Sequence, residues 1–334
     1  MRVLIKDIES ASNKILEKLG VPLDDMKIIT ESIVYAHEHG KPTHGIGRLP
    51  IYARKIKEGL MTPVTHCQEL YDGEAIVRLD CNNGFGQVAT YHAMNRAIDK
   101  AKRYGIGLVS VCHSNNFGTA GFYSRLAAKE NMVGIAIANS APAISLRGGK
   151  ALLGTNPVSV ALPTEGVLPD FNLDMAMSNA ARGKIRLALQ NGEAIPLGLA
   201  VDVNGCDTTD PARALEGAML PIGGIKGAGL AMVIDIMAGM LSGASFGGDV
   251  RNLNHPTDES NCGHMLMAVD IKRFMDINTY MRKMDYFVAK IHRAGAMFPG
   301  EHGAASGKNG FCDISEKQVE SIRQLADNLK VEVL

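Results

Sequence analysis

Two side chains in "KPTHGIGRLPIY" (residues 41–52) are of types that do chemistry. His44 offers an imidazole that titrates near neutrality and can pass a proton to or from an oxygen. Arg48, four positions on, offers a planar fork of donors that matches a carboxylate. Together they suit a small anionic carbonyl compound, held by its carboxylate while a proton moves at its oxygen. Gly45, Gly47 and Pro50 disfavour a regular helix here and let the backbone come close to a ligand. The competing reading is a solvent-exposed pair in a loop, and the residues alone leave both open.

Three other stretches could hold ligands. "GFGQVA" (residues 84–89) has the spacing of a dinucleotide-binding turn between strand and helix, but the next strand ends "SVCHSNN" without the ribose-holding acid. A tight strand-to-helix turn is the better reading. "PIGGIKGAGLAMVIDIM" sets Lys226 among Gly223, Gly224, Gly227 and Gly229 at a helix start, which suits a phosphate. Close packing through small residues explains the same glycines. "AHEHGKPTH" gathers His37, Glu38, His39 and His44, yet lacks HExxH spacing, so solvated histidines at a helix end are expected rather than a metal site.

The elements that must position these residues follow from periodicity. The first 40 residues read as two helices, the first capped by Ser10 or Ser12 and the second running from Pro22 to Gly40. The His44 stretch therefore lies on a loop or short turn just past a helix end. From residue 74 strands and helices alternate: "AIVRLD", a helix at 88–104, "GLVSVCH", a helix near 119–129, "MVGIAIANS", "PVSVALP" and "FNLDMAMS". A helix near 179–190, a strand at "GLAVDVNG", an apolar helix near 226–243 and a strand at "HMLMAVDI" follow. The chain then turns helical, with a last helix capped near Asp313 or Ser315.

Composition narrows the class. The 334 residues are 46% hydrophobic and 21% charged, as in a globular fold, with net charge zero and so no general pull toward nucleic acid or anionic membrane. Six cysteines without CxxC pairs argue against structural zinc or a secreted disulfide scaffold. "MRVLIKDIESASNK" becomes charged too early for a signal peptide, and the apolar run from Ala228, broken by Asp235, reads as a buried helix rather than a membrane span. A cytoplasmic protein is expected.

"THGIGRLPIYARKIKEG", "SNNFGTAGFYSRLA", "GGKALLGTNP", "LDMAMSNAARGKI", "VDVNGCDTTDPARALEGAMLPIGGIKGAGLA" and "FPGEH" occur in an order that resembles the malate/L-lactate/sulfolactate/ureidoglycolate dehydrogenase family. The match runs from about residue 10 to 330. The resemblance implies an α/β (α+β) fold, with a helical domain from both chain ends (1–72 plus 273–334) packed on a central mixed-sheet domain (73–272) of non-Rossmann type. It implies a homodimer that transfers hydride between NAD or NADP and a small 2-oxo or 2-hydroxy acid. By position it makes His44 and Asn116 catalytic, with Thr43 and Arg48 binding substrate. Cofactor contacts fall on Ser140, Asp174, Met175, Ala176, Lys226, Gly300, Glu301 and His302, and no metal is implied.

The sequence departs from the family pattern in three places. Asn116 stands where S-N-H-F-G would put a histidine; its amide can hydrogen-bond a carbonyl but cannot take a proton at neutral pH. His113, three residues earlier, offers an imidazole in an unusual place, and Leu146 and Arg147 replace a proline and an aromatic. Thr43 keeps a hydroxyl where serine is common. The expected activity is reversible reduction of a 2-oxo acid, with His44 as acid and base and Arg48 on the carboxylate. The alternatives are a cyclic-imine or diketo-acid reductase of the same family, or a cofactor-binding member weakened by Asn116.

Overall fold

A computed structural model of the chain describes residues 1–146, 150–164, 171–252, 258–301 and 310–333. Strand β1 (Arg2–Leu4) leads directly into α1 (Ile5–Lys18), followed by α2 (Leu23–Glu38). Two 3-10 turns, Pro42–His44 and Ile46–Arg48, precede α3 (Leu49–Lys57). The middle of the chain supplies β2 (Gln68–Asp72), β3 (Ile76–Asp80), α4 (Gly86–Tyr104), β4 (Ile106–Ser114), α5 (Ala120–Lys129) and β5 (Met132–Ala138). Then come β6 (Ile144–Ser145), β7 (Ala151–Leu153), β8 (Val158–Leu162), β9 (Phe171–Met175), α6 (Arg182–Asn191), β10 (Ala200–Val201), α7 (Pro211–Glu216) and β11 (Ala218–Met219). Helix α8 (Ile225–Ile234) continues as a π-turn (Asp235–Met240), before β12 (Cys262–Asp270), α9 (Ile277–Arg293), β13 (Phe311–Asp313) and α10 (Glu316–Leu329).

Seven strands form the central sheet in the order β2-β3-β4-β12-β5-β8-β9. Only β3 and β4 run parallel among these neighbours; the other pairs are antiparallel. That is the mixed sheet expected, and it lacks the parallel strand run that a Rossmann site needs. Helices α4 and α5 cover one face. Ala89, Ala93, Ala97 and Ala101 recur every fourth residue along α4 and keep its sheet-facing stripe thin. Gly107 on β4 completes the fit, because a Cβ there would overlap the Ala97 carbonyl. Ala231, Ile234 and Ala238 of α8 and its π-turn pack with Met265 and Ile137 in a separate core.

A further core joins the chain ends: Ile8, Ile15 and Leu16 of α1, Ile29 and Ile33 of α2, Leu49 and Tyr52 of α3, and Val319 and Ile322 of α10. β1 pairs antiparallel with β13, Arg2 opposite Asp313. This pairing corrects the start of the first helix. Ile5 N–H reaches Gly310 O at 2.9 Å, so α1 begins at Ile5 and Ser12 is buried in its interior rather than capping it. Ser315 does cap α10, in a reciprocal capping box with Gln318. The apolar helix after Lys226 is not wholly buried as expected: Leu230, Val233, Ile236 and Met240 form an exposed row. Among the described residues no helix is long and apolar enough to cross a membrane.

Candidate functional site

The two 3-10 turns bring His44 and Arg48 to one place and hold them from both sides. Pro42 opens the first turn, and His44 N–H bonds Lys41 O at 2.9 Å. Arg48 N–H bonds Gly45 O at 3.0 Å, closing the second. Beneath Gly45 lies His37 of α2, whose Nε2 accepts from Ile46 N–H at 3.0 Å. Gly47 lies against the Gln318 amide, which donates to Pro42 O at 3.3 Å. Cβ atoms at 45 and 47 would overlap those two side chains. The glycines therefore serve close packing on His37 and Gln318, where the sequence suggested close approach to a ligand.

His37 also corrects the picture of solvated histidines, since it is only 3% exposed. Burial pushes its pKa down to about 4, so its ring is neutral at ordinary pH. His39 stacks on Tyr35 with centroids 3.8 Å apart. His44 is half-buried, and loss of hydration, then the charges of Arg48 and Lys41, push its pKa down to about 3. Its Nδ1 is buried without a partner among the described residues. Arg48 donates Nε–H to Thr43 O at 2.7 Å, and its outer guanidinium nitrogens have no partner among the described residues. The Thr43 methyl meets Gly183 at the start of α6, which carries Arg182 and Arg186 close by.

Lys41, which spacing did not single out, links this turn to β9 through an ion pair with Asp174. The same Asp174 oxygen accepts from Gly121 N–H at 3.0 Å, at the start of α5. Beyond Asp174, Met175 and Ala176 lead to Met177, whose carbonyl accepts from Ile222 N–H at 2.9 Å; Ser178 bridges Pro221. The end of β9 thus meets the start of α8. There Gly223 and Gly224 have positive φ and open space around them, and among the described residues no side chain caps the helix and the exposed Lys226 has no partner. Such a terminus suits an anionic group. Gly227 is explained by packing instead, because a Cβ would overlap Ile222 O.

Ser140 joins the same neighbourhood. Its N–H bonds Asn156 Oδ1 at 3.1 Å and its hydroxyl lies 3.4 Å from that of Thr155, whose carbonyl accepts from Met177 N–H. Gly300 and Glu301 lie beside the other end of β9, where Asn172 N–H bonds Pro299 O at 2.8 Å. Glu301 is engaged by His292 and by Phe298 N–H at 3.0 Å. His302 and Arg147 fall outside the described residues. Asn116 accepts from Gly118 N–H at 3.2 Å through Oδ1, which leaves its amide hydrogens to donate. His113 is bonded to Asp80 at 2.7 Å rather than turned to the His44 turn. "GFGQVA" is a packing turn: a Cβ on Gly86 would overlap the carbonyls of Asn115 and Asn116.

A buried cation that spacing also missed supports this loop. Lys55 of α3 is fully buried and donates to Asn115 Oδ1 and Ser260 Oγ, each at 2.6 Å. Asn115 in turn donates to Asn83 and Gly84. The arrangement as a whole is one imidazole beside Arg48 and Lys41, with a helix N-terminus and a lysine at the far end of β9.

The family described as malate/L-lactate dehydrogenase matches residues 3–323. A malate/(S)-sulfolactate dehydrogenase of Methanothermus fervidus is 38% identical over 327 residues, 96% of each chain. The solved sulfolactate dehydrogenase of Methanocaldococcus jannaschii superposes with a TM-score of 0.92 at 35% identity, covering 99% of this chain and 98% of that one. A pyrroline-2-carboxylate/piperideine-2-carboxylate reductase of Pseudomonas putida is 30% identical over 77% of this chain and 75% of its own length.

Proposed function

This chain belongs to the malate/L-lactate dehydrogenase family, and from that membership we propose a mechanism in which His44 and Arg48 carry the substrate chemistry. The protein is a nicotinamide-dependent oxidoreductase that interconverts a small 2-oxo acid and its 2-hydroxy acid. The observation that carries the residue assignment is the pairing of a neutral imidazole with Arg48 on one clamped turn.

Arg48 takes the substrate carboxylate through its outer nitrogens, which directs the carbonyl or carbinol carbon toward the cofactor side. His44 moves the proton at Nε2, since Nδ1 is buried. In the oxidation direction the neutral ring is ready to accept the hydroxyl proton. In reduction the arriving carboxylate offsets the Arg48 charge that depresses the ring, which lets His44 take up the proton it donates to the forming alkoxide. Asn116 contributes a hydrogen bond to the substrate oxygen and no proton, and Thr43 lines the carboxylate side. Arg186 adds positive charge near the turn. That favours substrates with a second anionic group, such as the malate and sulfolactate named for the relatives.

Asp174, Met175, Ala176, Ser140 and Lys226 fit a nicotinamide dinucleotide, with the uncapped start of α8 and Lys226 on its phosphates. Gly300 and Glu301 lie along the same strand. When bound, the nicotinamide supplies or accepts the hydride. We further infer a homodimer in the cytoplasm, the exposed apolar row of α8 and its π-turn being the natural contact face. The division into 1–72 plus 273–334 and 73–272 is supported by the separate core of α1, α2, α3 and α10, although α9 packs on Leu162 and Phe171 at the sheet edge. The test is NADH and NADPH oxidation with a panel of 2-oxo acids and a cyclic imino acid. Turnover with a 2-oxo acid that is lost in His44→Ala supports the mechanism; turnover that survives the substitution overturns it. Turnover with the imino acid alone selects the imine-reductase reading.

A further inference from the structure

We infer that His37 is a positioning residue for the reaction: its imidazole, accepting through Nε2 from Ile46 N–H, fixes the turn that carries His44 and Arg48. Ile46 stands midway between those two residues, so one hydrogen bond at its amide sets the backbone from which both side chains leave. The contact has no slack. Gly45 lies so close over the His37 ring that a Cβ would overlap Nε2 and its neighbouring carbons. A bond accepted at Nε2 places the ring proton on Nδ1, the neutral tautomer. Nδ1 is buried and has no partner among the described residues. An unpartnered buried nitrogen costs stability, and an apolar side chain of similar size would remove that cost. What an apolar side chain cannot supply is the acceptor for Ile46.

His37 does not touch substrate on this view. It acts through the turn, in the way that small misplacements far from the reacting atoms reduce turnover. The inference rests on the assignment of His44 and Arg48 above, and the experiment separates the two. His37→Phe keeps a ring and removes the acceptor; His37→Gln returns an acceptor, Oε1, near the place of Nε2. Reduction of the best 2-oxo acid of the panel by NADH is measured for both, with NADH affinity from fluorescence titration as the control for intact folding. His37→Phe is expected to lower kcat/KM for the oxo acid by roughly 10- to 100-fold, with NADH affinity within about twofold of wild type. His37→Gln is expected to recover most of that loss.

Equal losses in both variants with intact NADH binding mean that ring shape, not the acceptor, matters, and overturn the inference. Full activity in His37→Phe overturns it as well. Should His37→Phe not fold, Gly45→Ala probes the same contact from the other side and is expected to lower kcat/KM with NADH affinity retained; wild-type activity there also overturns it. If His44→Ala keeps its turnover, the mechanism itself fails and the role of His37 falls with it. If His44→Ala is inactive and His37→Phe is not, only the present inference is lost.

Discussion

His44 is held neutral by its surroundings rather than by its own chemistry. Removal from water and two nearby cations hold it neutral, and a bound carboxylate reverses part of that effect. His44→Ala should therefore lower turnover by roughly 100- to 10,000-fold while leaving the affinity for the reduced nicotinamide cofactor unchanged, as read from steady-state kinetics and fluorescence titration. Arg48→Lys keeps the charge but loses the planar fork, and Nε–H no longer braces Thr43 O. A rise in KM for the oxo acid of about tenfold or more is expected, and an unchanged KM would place the carboxylate elsewhere. Asn116 is the residue whose type changed what the site can do. With its oxygen on Gly118 N–H it offers only donors, so in the proposed mechanism the proton transfer falls to His44.

At the scale of elements, the turn that carries His44 and Arg48 is a 3-10 segment clamped between α2 and α10. The clamp explains how a stretch with two glycines and two prolines holds a fixed shape. Gln318 serves twice, closing the Ser315 capping box and donating to Pro42 O. Ser315→Ala should destabilise the protein by about 1 kcal/mol, the usual worth of an N-cap, seen as a lower urea midpoint at unchanged m-value. The start of α8 is the element proposed to hold the cofactor phosphates. Lys226→Ala should raise KM for the cofactor several-fold with little effect on KM for the oxo acid, because the lysine stands at the helix terminus assigned to phosphate and apart from the turn. Equal effects on both would contradict that assignment.

For the whole molecule, neutral buried histidines set the acid response. His37 is pushed down to about 4, and His44 and His264 to about 3, against 6.5 in the unfolded chain. Below 6.5 the unfolded chain binds protons that the folded chain refuses, so stability is full above that pH and falls as the pH drops toward these lowered values. Asp25 and Glu38, whose pKa values burial raises, offset a part of this at the acid end. Thermal midpoints should fall steadily from pH 7 to pH 4, and His37→Gln should flatten the slope; a level profile in wild type would show that these rings titrate freely. Leu230→Asp with Val233→Asp, on the exposed row of α8, should convert a dimer to a monomer in sizing chromatography. The sequence by itself determined the alternation of strands and helices, the end of α2 before the His44 turn, the Ser315 cap, and the residue types that can grip a carboxylate and move a proton. These depend on local spacing and side-chain chemistry, which a single chain displays directly. Tertiary structure alone decided that His37 is buried beneath Gly45, that Lys41 reaches Asp174, that Lys55 supports Asn115, and that α1 starts at Ile5 because β1 pairs with β13. Those partners stand from eight to more than three hundred residues apart, and local periodicity carries no record of which distant side chain fills the space beside a glycine.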